Sequence, residues 1–315
     1  MTGATPPNEG LGQSDAEQAA FRQHSERFGA FLANTNQKVR TQEAILEWLK
    51  DFPPGLWQRL QDPTVPFSVL YVGAGNGGIE LPLTGRFLQA RDSYANFEVH
   101  CEDPSAEMEA QFREALQAVE RSFPDSLVSP RLVDYAVIPF EDPAYIPPEA
   151  DFALASHVWY YIGNHNDRKS IEDSLLKFAR AIKSDGAGLI TVQSQASDRF
   201  KLRSLYLELT DPSETELSGE ELSQTATLVD IRHNLSTITS EVNLSSCFDQ
   251  NGDFNPNDEG KLILSFILRA DWDGLDPGVQ AAVSAKILRL CYVNAGQHLK
   301  FIDSAIWISK IAEPE

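Results

Sequence analysis

Cysteine is scarce in this chain, with three residues in 315. Cys101, Cys247 and Cys291 are widely spaced, odd in number and flanked by apolar residues. That pattern excludes a disulfide framework and a zinc-binding set, and it reads as buried, reduced thiols. Basic residues are short as well: 26 Lys and Arg stand against 46 Asp and Glu, for a net charge of −20 and a pI near 4.6. A surface of that sign repels phosphate, so neither nucleic acid nor an anionic membrane is an expected partner. Long apolar runs are missing too. None approaches the length of a membrane span, and Met1 to Glu17 lacks the basic start and apolar middle of a secretory leader. The expectation is a soluble, cytoplasmic protein. With 42% hydrophobic residues, the chain can bury one large core, or a core and a smaller lobe.

What the chain does have is an apolar run that breaks into glycines, Phe67-Ser-Val-Leu-Tyr-Val-Gly73-Ala74-Gly75-Asn-Gly77-Gly78. One βα unit later a second run ends in acids, Phe97-Glu-Val-His-Cys-Glu102-Asp103-Pro104-Ser105. Glycines at a strand-to-helix turn let bare backbone approach a ligand, some of them at positive φ. An acid at the end of the next strand can accept hydrogen bonds from ribose hydroxyls. Gly73-x-Gly75-x-x-Gly78 fits the dinucleotide spacing, but dinucleotide enzymes repeat the mononucleotide-binding half, and no second half is readable here.

Strand-like runs recur at Phe67–Val72, Phe97–Cys101, Arg131–Val133, Asp151–Ser156 and Ala187–Gln193, with helical spacing at Ile79–Ala90, Ala106–Arg121 and Lys169–Ile182. This alternation predicts a doubly wound α/β fold with a mostly parallel sheet and right-handed crossovers. Residues 1–18 read as a disordered tail, and two helices with apolar faces precede the first strand. Beyond Gln193 the pattern predicts one or two helices over Asp198–Leu222 and a strand at Thr225–Ile231. A long polar loop is expected over Asn234–Asp258, helices at Leu262–Ala270 and Val279–Leu290, and a last alternating strand at Leu299–Ile308. Residues 19–315 are expected to form one domain, in which 21–60 and about 198–270 cap the strand ends.

The glycine run and acid, followed by a single strand-helix series, resemble the class I S-adenosylmethionine-dependent methyltransferases. The resemblance implies S-adenosylmethionine as cofactor. It makes Gly73, Ala74 and Gly75 the glycine loop and Asp103 the ribose-binding acid, with Pro104, Ser105, Met108 and Ser156 completing the cofactor site. Three further segments, Glu102-Asp-Pro-Ser-Ala-Glu107, Val158-Trp-Tyr160-Tyr161-Ile162 and Cys247-Phe248-Asp-Gln-Asn-Gly-Asp253, are similar to the histamine N-methyltransferase family and its small-molecule relatives, over about Phe28 to Ile308. In that family a glutamate after Phe28-x-x-Phe31-Leu32 holds the ammonium end of the substrate. The resemblance gives that role to Glu43, beside Gln42 and Phe28, and sets Tyr160 and Tyr161 over the substrate. The chain departs from the family at His157, where a glutamine faces the imidazole, at Asp303, where an asparagine bonds the substrate, and at Arg199 or Phe200, where a tryptophan covers it. Different polar groups in one pocket imply a different substrate, since each unpaired buried polar group costs about 1–3 kcal/mol.

His157, Glu43 and Asp303 are therefore the expected catalytic residues. Glu43 and Asp303 would attract a cation, and His157 would accept a proton from a nitrogen nucleophile or orient it. The expected substrate is a small amine or imidazole-type molecule. Alternatives are O-methylation with His157 as base, or a methyltransferase-like binding protein without turnover. His165, in the loop after Ile162, reads as part of a helix N-cap region. Asp249-x-Asn251-x-Asp253 starts like a calcium loop, but Phe254 and Gly260 stand where that loop needs glycine and glutamate. No metal is expected, and no protein partner is readable.

Overall fold

Phe67–Val72 carries a side chain to be buried at every position, which suits only a strand covered on both faces. In the computed structural model, which describes residues 15–51, 55–91, 97–121, 130–162 and 167–309, that strand is β1 and it is buried throughout. The elements run α1 (Asp15–Ala33), α2 (Gln37–Asp51), α3 (Leu56–Gln61), β1 (Phe67–Val72), α4 (Glu80–Arg91), β2 (Phe97–Glu102), α5 (Ala106–Arg121), β3 (Arg131–Ala136) and β4 (Ala150–Ser156). They continue with α6 (Arg168–Arg180), β5 (Ile182–Gln193), α7 (Asp198–Thr210), α8 (Gly219–Leu228), β6 (His233–Asn243), α9 (Asp258–Leu268), α10 (Pro277–Val293) and β7 (His298–Ser309). Strand order across the sheet is β3-β2-β1-β4-β5-β7-β6. Strands β1 to β5 pair in parallel and β7 lies antiparallel to β5. The doubly wound, mostly parallel sheet expected from the alternation is what the chain forms.

Each face of the sheet has its own core. Phe67, Val69 and Tyr71 of β1 point to one face, where they join Ile45 of α2, Phe87 of α4 and Phe112 of α5. Leu70 and Val72 point to the other, with Leu175 and Phe178 of α6 and Leu222 of α8. Helix α2 lies on the first face, where Trp48 stacks on Trp307 of β7 at 4.2 Å between ring centroids.

The chain divides into two compact units, Asn36–Val242 with Leu299–Glu315, and Met1–Thr35 with Asn243–His298. The segments expected to form one cap are thus shared between units. In the second unit Phe28 and Phe31 of α1 pack on Phe266 of α9, with ring centroids 5.5 and 4.4 Å away.

Two expectations beyond Gln193 need correction. Thr225–Ile231, predicted as a strand, is largely the end of α8. Its threonines favour strands, but a reciprocal Ser218–Glu221 cap starts the helix, and the hydroxyls of Thr225 and Thr227 bond to carbonyls one turn back. The polar loop predicted from Asn234 instead contains β6, in which buried Ile238, Ser240 and Val242 alternate with exposed neighbours. A serine among the inward residues, Ser240, and exposed Leu235 among the outward ones hid that period of two. A third helix, α3, also precedes β1. The expected tail lies outside the described residues as far as residue 14, while residues 15–18 belong to α1. His165 lies outside them as well, and the N-cap of α6 is Asp167, which accepts from the Lys169 N–H.

Candidate functional site

The glycine run is the turn from β1 into α4, and its conformation explains its composition. Gly73, Gly75 and Gly77 have φ of +62, +51 and +80°, a region costly to side chains. A Cβ on Gly73 would collide with Val158, whereas one on Gly75 would meet nothing within 4 Å. The turn is thus closed on the Gly73 side and leaves open space above Gly75, where a ligand can approach bare backbone.

The ends of β1 and β2 are laced together. The Gly73 N–H donates to Glu102 Oε2 (3.2 Å) and the Gly75 N–H to Asp103 Oδ2 (3.0 Å). The Ser105 N–H donates to Asp103 Oδ1 at 2.9 Å, and Ser105 Oγ accepts the Met108 N–H at 3.3 Å, at the start of α5. Tyr135 of β3 donates to the Gly75 carbonyl at 2.9 Å. Ala74 is buried and Pro104 exposed. Gly73, Ala74, Gly75, Asp103, Ser105 and Met108 are therefore brought together as a bonded cradle. Glu102 was not anticipated. It is buried, and desolvation pushes its pKa to about 8. Its place one residue before Asp103 was the available signal.

A second polar group gathers where β4, β5 and β7 end or pass. His157 follows β4 with φ of +58°, held by its N–H on the Thr191 carbonyl at 3.0 Å. Its Nε2 is buried and lacks a hydrogen-bond partner, and it lies 3.6 Å from Asp303 Oδ2. Asp303, on β7 opposite Gln193 of β5, is fully buried. Its Oδ2 accepts from Gln37 Nε2 at 2.9 Å, while Oδ1 has no hydrogen-bond donor. Both polar atoms of the Gln193 side chain are likewise without partners, whereas Ser304 turns to the opposite face of the sheet, against Gly219 of α8. Tyr160 is buried, accepts the Gln193 N–H at 2.6 Å and lies under the Arg199 guanidinium, 5.4 Å from the ring centre. Ser156, the last residue of β4, shares a 3.0 Å hydrogen bond with Thr191.

Burial dominates the electrostatics of this cluster. It lowers the His157 pKa, opposed by Asp303 and reinforced by Arg199 and Lys38. It raises that of Asp303, against the pull of His157, Gln37 and Arg199. The imidazole is therefore neutral near neutral pH, and Asp303 is harder to ionise than a free aspartate.

Not every expected residue joins. Helix α2 buries Gln37, Thr41, Gln42 and Ile45 at helical spacing. Gln42 donates to the Ile79 carbonyl at 3.4 Å. Glu43 is exposed and pairs with Arg40 on its own helix at 3.1 Å. The α2 side chain that meets Asp303 is Gln37, so the expected Glu43–Asp303 pairing is replaced by Gln37–Asp303. Tyr161 is 63% exposed, and Phe28 belongs to the other unit. Gln37 and Gln193 were missed because a lone amide in an apolar stretch carries no sequence signature. All three cysteines are free and buried, and no group of residues able to hold a metal occurs among the described residues. No helix there is long and apolar enough to cross a membrane.

No protein-family model matches this chain, and no curated protein matches it either. Solved structures with a similar course include a candidate sarcosine dimethylglycine methyltransferase from Galdieria sulphuraria, with 14% identity, 86% of each chain covered and a TM-score of 0.47. An S-adenosylmethionine-dependent methyltransferase from Methanosarcina mazei has 14% identity, with 83% of this chain and 99% of that one covered and a TM-score of 0.45. Magnesium protoporphyrin IX methyltransferase from Synechocystis PCC 6803, solved with bound S-adenosylhomocysteine, has 10% identity, 94% and 89% coverage and a TM-score of 0.44. None of them assigns a substrate to this chain.

Proposed function

We propose that this chain is an S-adenosylmethionine-dependent methyltransferase that methylates a nitrogen of a small, cationic amine or imidazole-type substrate. The observation that carries this is the buried polar cluster beside the glycine turn. Asp303 Oδ1, both ends of the Gln193 amide and His157 Nε2 are all without hydrogen-bond partners. A buried polar atom left unpaired costs about 1–3 kcal/mol, so such a cluster is built to be completed by a ligand. A carboxylate oxygen asks for an N–H donor, preferably charged, and the adjacent amide asks for a donor and an acceptor together. A protonated amine on an imidazole-like ring supplies that set.

The cradle fits the cofactor. In this reading Asp103, whose oxygens already accept the Gly75 and Ser105 N–H groups, would take the ribose hydroxyls on its remaining lone pairs, and the open space over Gly75 lets backbone approach the ligand. When bound, S-adenosylmethionine would supply an electrophilic methyl group on a sulfonium. This chain's residues align and desolvate the acceptor, the main need of an in-line displacement. Asp303 and Gln193 hold the substrate. His157, neutral because it is buried, accepts a hydrogen bond or proton from the reacting nitrogen in the tautomer that leaves Nε2 unprotonated.

Transfer of a labelled methyl group to a panel of amines and imidazoles tests the proposal, with phenols and carboxylic acids alongside. Methylation confined to the nitrogen compounds is the expected outcome. Turnover on phenols alone would replace it with O-methylation using His157 as base, and cofactor binding without any turnover would make the chain a binding protein.

A further inference from the structure

Helix α10 turns an uncharged face to solvent. One side of it is buried through Val283, Ile287, Leu290 and Cys291. At about 100° per residue, the opposite side is lined by Pro277, Gly278, Ala281, Ala285, Leu288 and Tyr292, every one of them exposed. Tyr292 is 86% exposed and Val293 beside it 71%. A surface helix ordinarily carries its charged and polar residues on that side. Here the two cations, Lys286 and Arg289, stand to one flank, and the helix has no acid at all.

We infer that this face of α10 is where a second copy of the chain docks, the two helices running antiparallel across a two-fold axis midway between Ala285 and Leu288. Three observations converge. Such an axis sets Ala285 of one copy opposite Leu288 of the other, and Ala281 opposite Tyr292, so each large side chain meets a small one and the face is complementary to itself. Charge selects the same helix. A chain of net charge −20 repels its own copies, and they approach most easily where carboxylates are missing; a segment with two cations and no acid is also drawn to an acidic partner. Finally, the stripe is continuous over about 16 Å of helix axis, and a contiguous apolar surface, unlike single scattered residues, marks an interaction site. One helix pair buries less than the ~1,200 Å² typical of lasting complexes. The dimer is therefore weak and concentration-dependent.

Sedimentation equilibrium of the full chain over about a hundredfold range of concentration should show monomer giving way to dimer. Leu288→Glu places two acids near the axis and should weaken association about a hundredfold or more. Ala285→Lys should weaken it as well. In the inferred register Lys at 285 of one copy faces Glu at 288 of the other, so mixing the two variants should restore a mixed dimer that neither forms alone. Thermal unfolding of each variant should match the parent, because both positions are exposed. A parent chain that stays monomeric throughout overturns the inference, as does association that Leu288→Glu leaves unchanged or a mixture that fails to recover. Flotation of the monomeric parent with phosphatidylserine vesicles, lost in Leu288→Glu, would give the face to a lipid surface instead.

Discussion

Asp151 and Asp303 are two wholly buried carboxylates at opposite ends of one sheet, and they are furnished in opposite ways. Asp151, at the start of β4, accepts from the Ser68 N–H (2.8 Å), the Ser68 hydroxyl (3.0 Å) and Lys183 Nζ (2.8 Å) through Oδ2, while Arg59 pairs with Oδ1. Asp303 has one donor, Gln37, and an unpaired oxygen. Both acids carry the same desolvation penalty, but only the first has it offset within the protein. The difference separates an acid that holds the fold from one prepared for a ligand. The contrast is between an acid paired with two cations, Arg59 and Lys183, and one beside an amide and an imidazole.

The largest expected effect is on the completed acid. Asp151→Ala strands Arg59 and Lys183, both part-exposed, and should lower unfolding free energy by about 2–4 kcal/mol in urea while leaving cofactor affinity per folded molecule unchanged. A loss confined to ligand binding would erase the contrast. Asp103→Ala should weaken S-adenosylhomocysteine by about 1.5–3 kcal/mol in calorimetry, the range for a hydrogen bond to a charged group. Unchanged affinity would remove that acid from the cofactor site.

Asp303→Asn should lower kcat/KM for the amine acceptor about ten- to a hundredfold, because the transition state then forgoes one charge-assisted hydrogen bond. Stability should shift by less than about 0.5 kcal/mol, since a neutral amide there is cheaper to bury. A large stability loss with intact kcat/KM would make Asp303 a second Asp151. The smallest effect concerns pH. Burial lowers the His157 pKa, so the neutral form persists to more acidic pH than a free histidine allows, and kcat should fall only below about 6.5. His157→Gln should flatten that limb. The sign for stability is the same: the unfolded chain takes up the proton first, so this residue's contribution is fully present above the unfolded pKa and is lost as pH falls through the folded one.

The fold is legible in the sequence because its signals are periodic. β1, β2, β4 and β5 bury nearly every side chain, and α5 and α6 keep a regular apolar stripe, so these strands and their crossovers can be read within a few residues. β6 escapes because an edge strand with a serine turned inward and a leucine turned outward shows little hydrophobic contrast. The glycine turn and Asp103 are legible for a different reason: φ near +60° and a carboxylate at a strand end leave marks on residue type. Gln37 and Gln193 leave none, since what makes them notable is how they are placed in three dimensions. Interval alone cannot say which face of α2 turns inward, so it points to Glu43 where the fold presents Gln37.

His157 holds a backbone shape that few residues accept, φ +58°, and this sets the tolerance of the position. A saturation library there passes through two sieves. The first is backbone fit, which Gly, Asn and Asp clear and Val, Ile and Thr fail through the bulk at Cβ. The second is the imidazole itself, which none of those survivors replaces. Folded but slow clones should therefore concentrate in Gly, Asn and Asp, while the branched residues drop out as insoluble. An ancestral chain that carried Asn at this turn could have acquired histidine in one step, without first relaxing the loop.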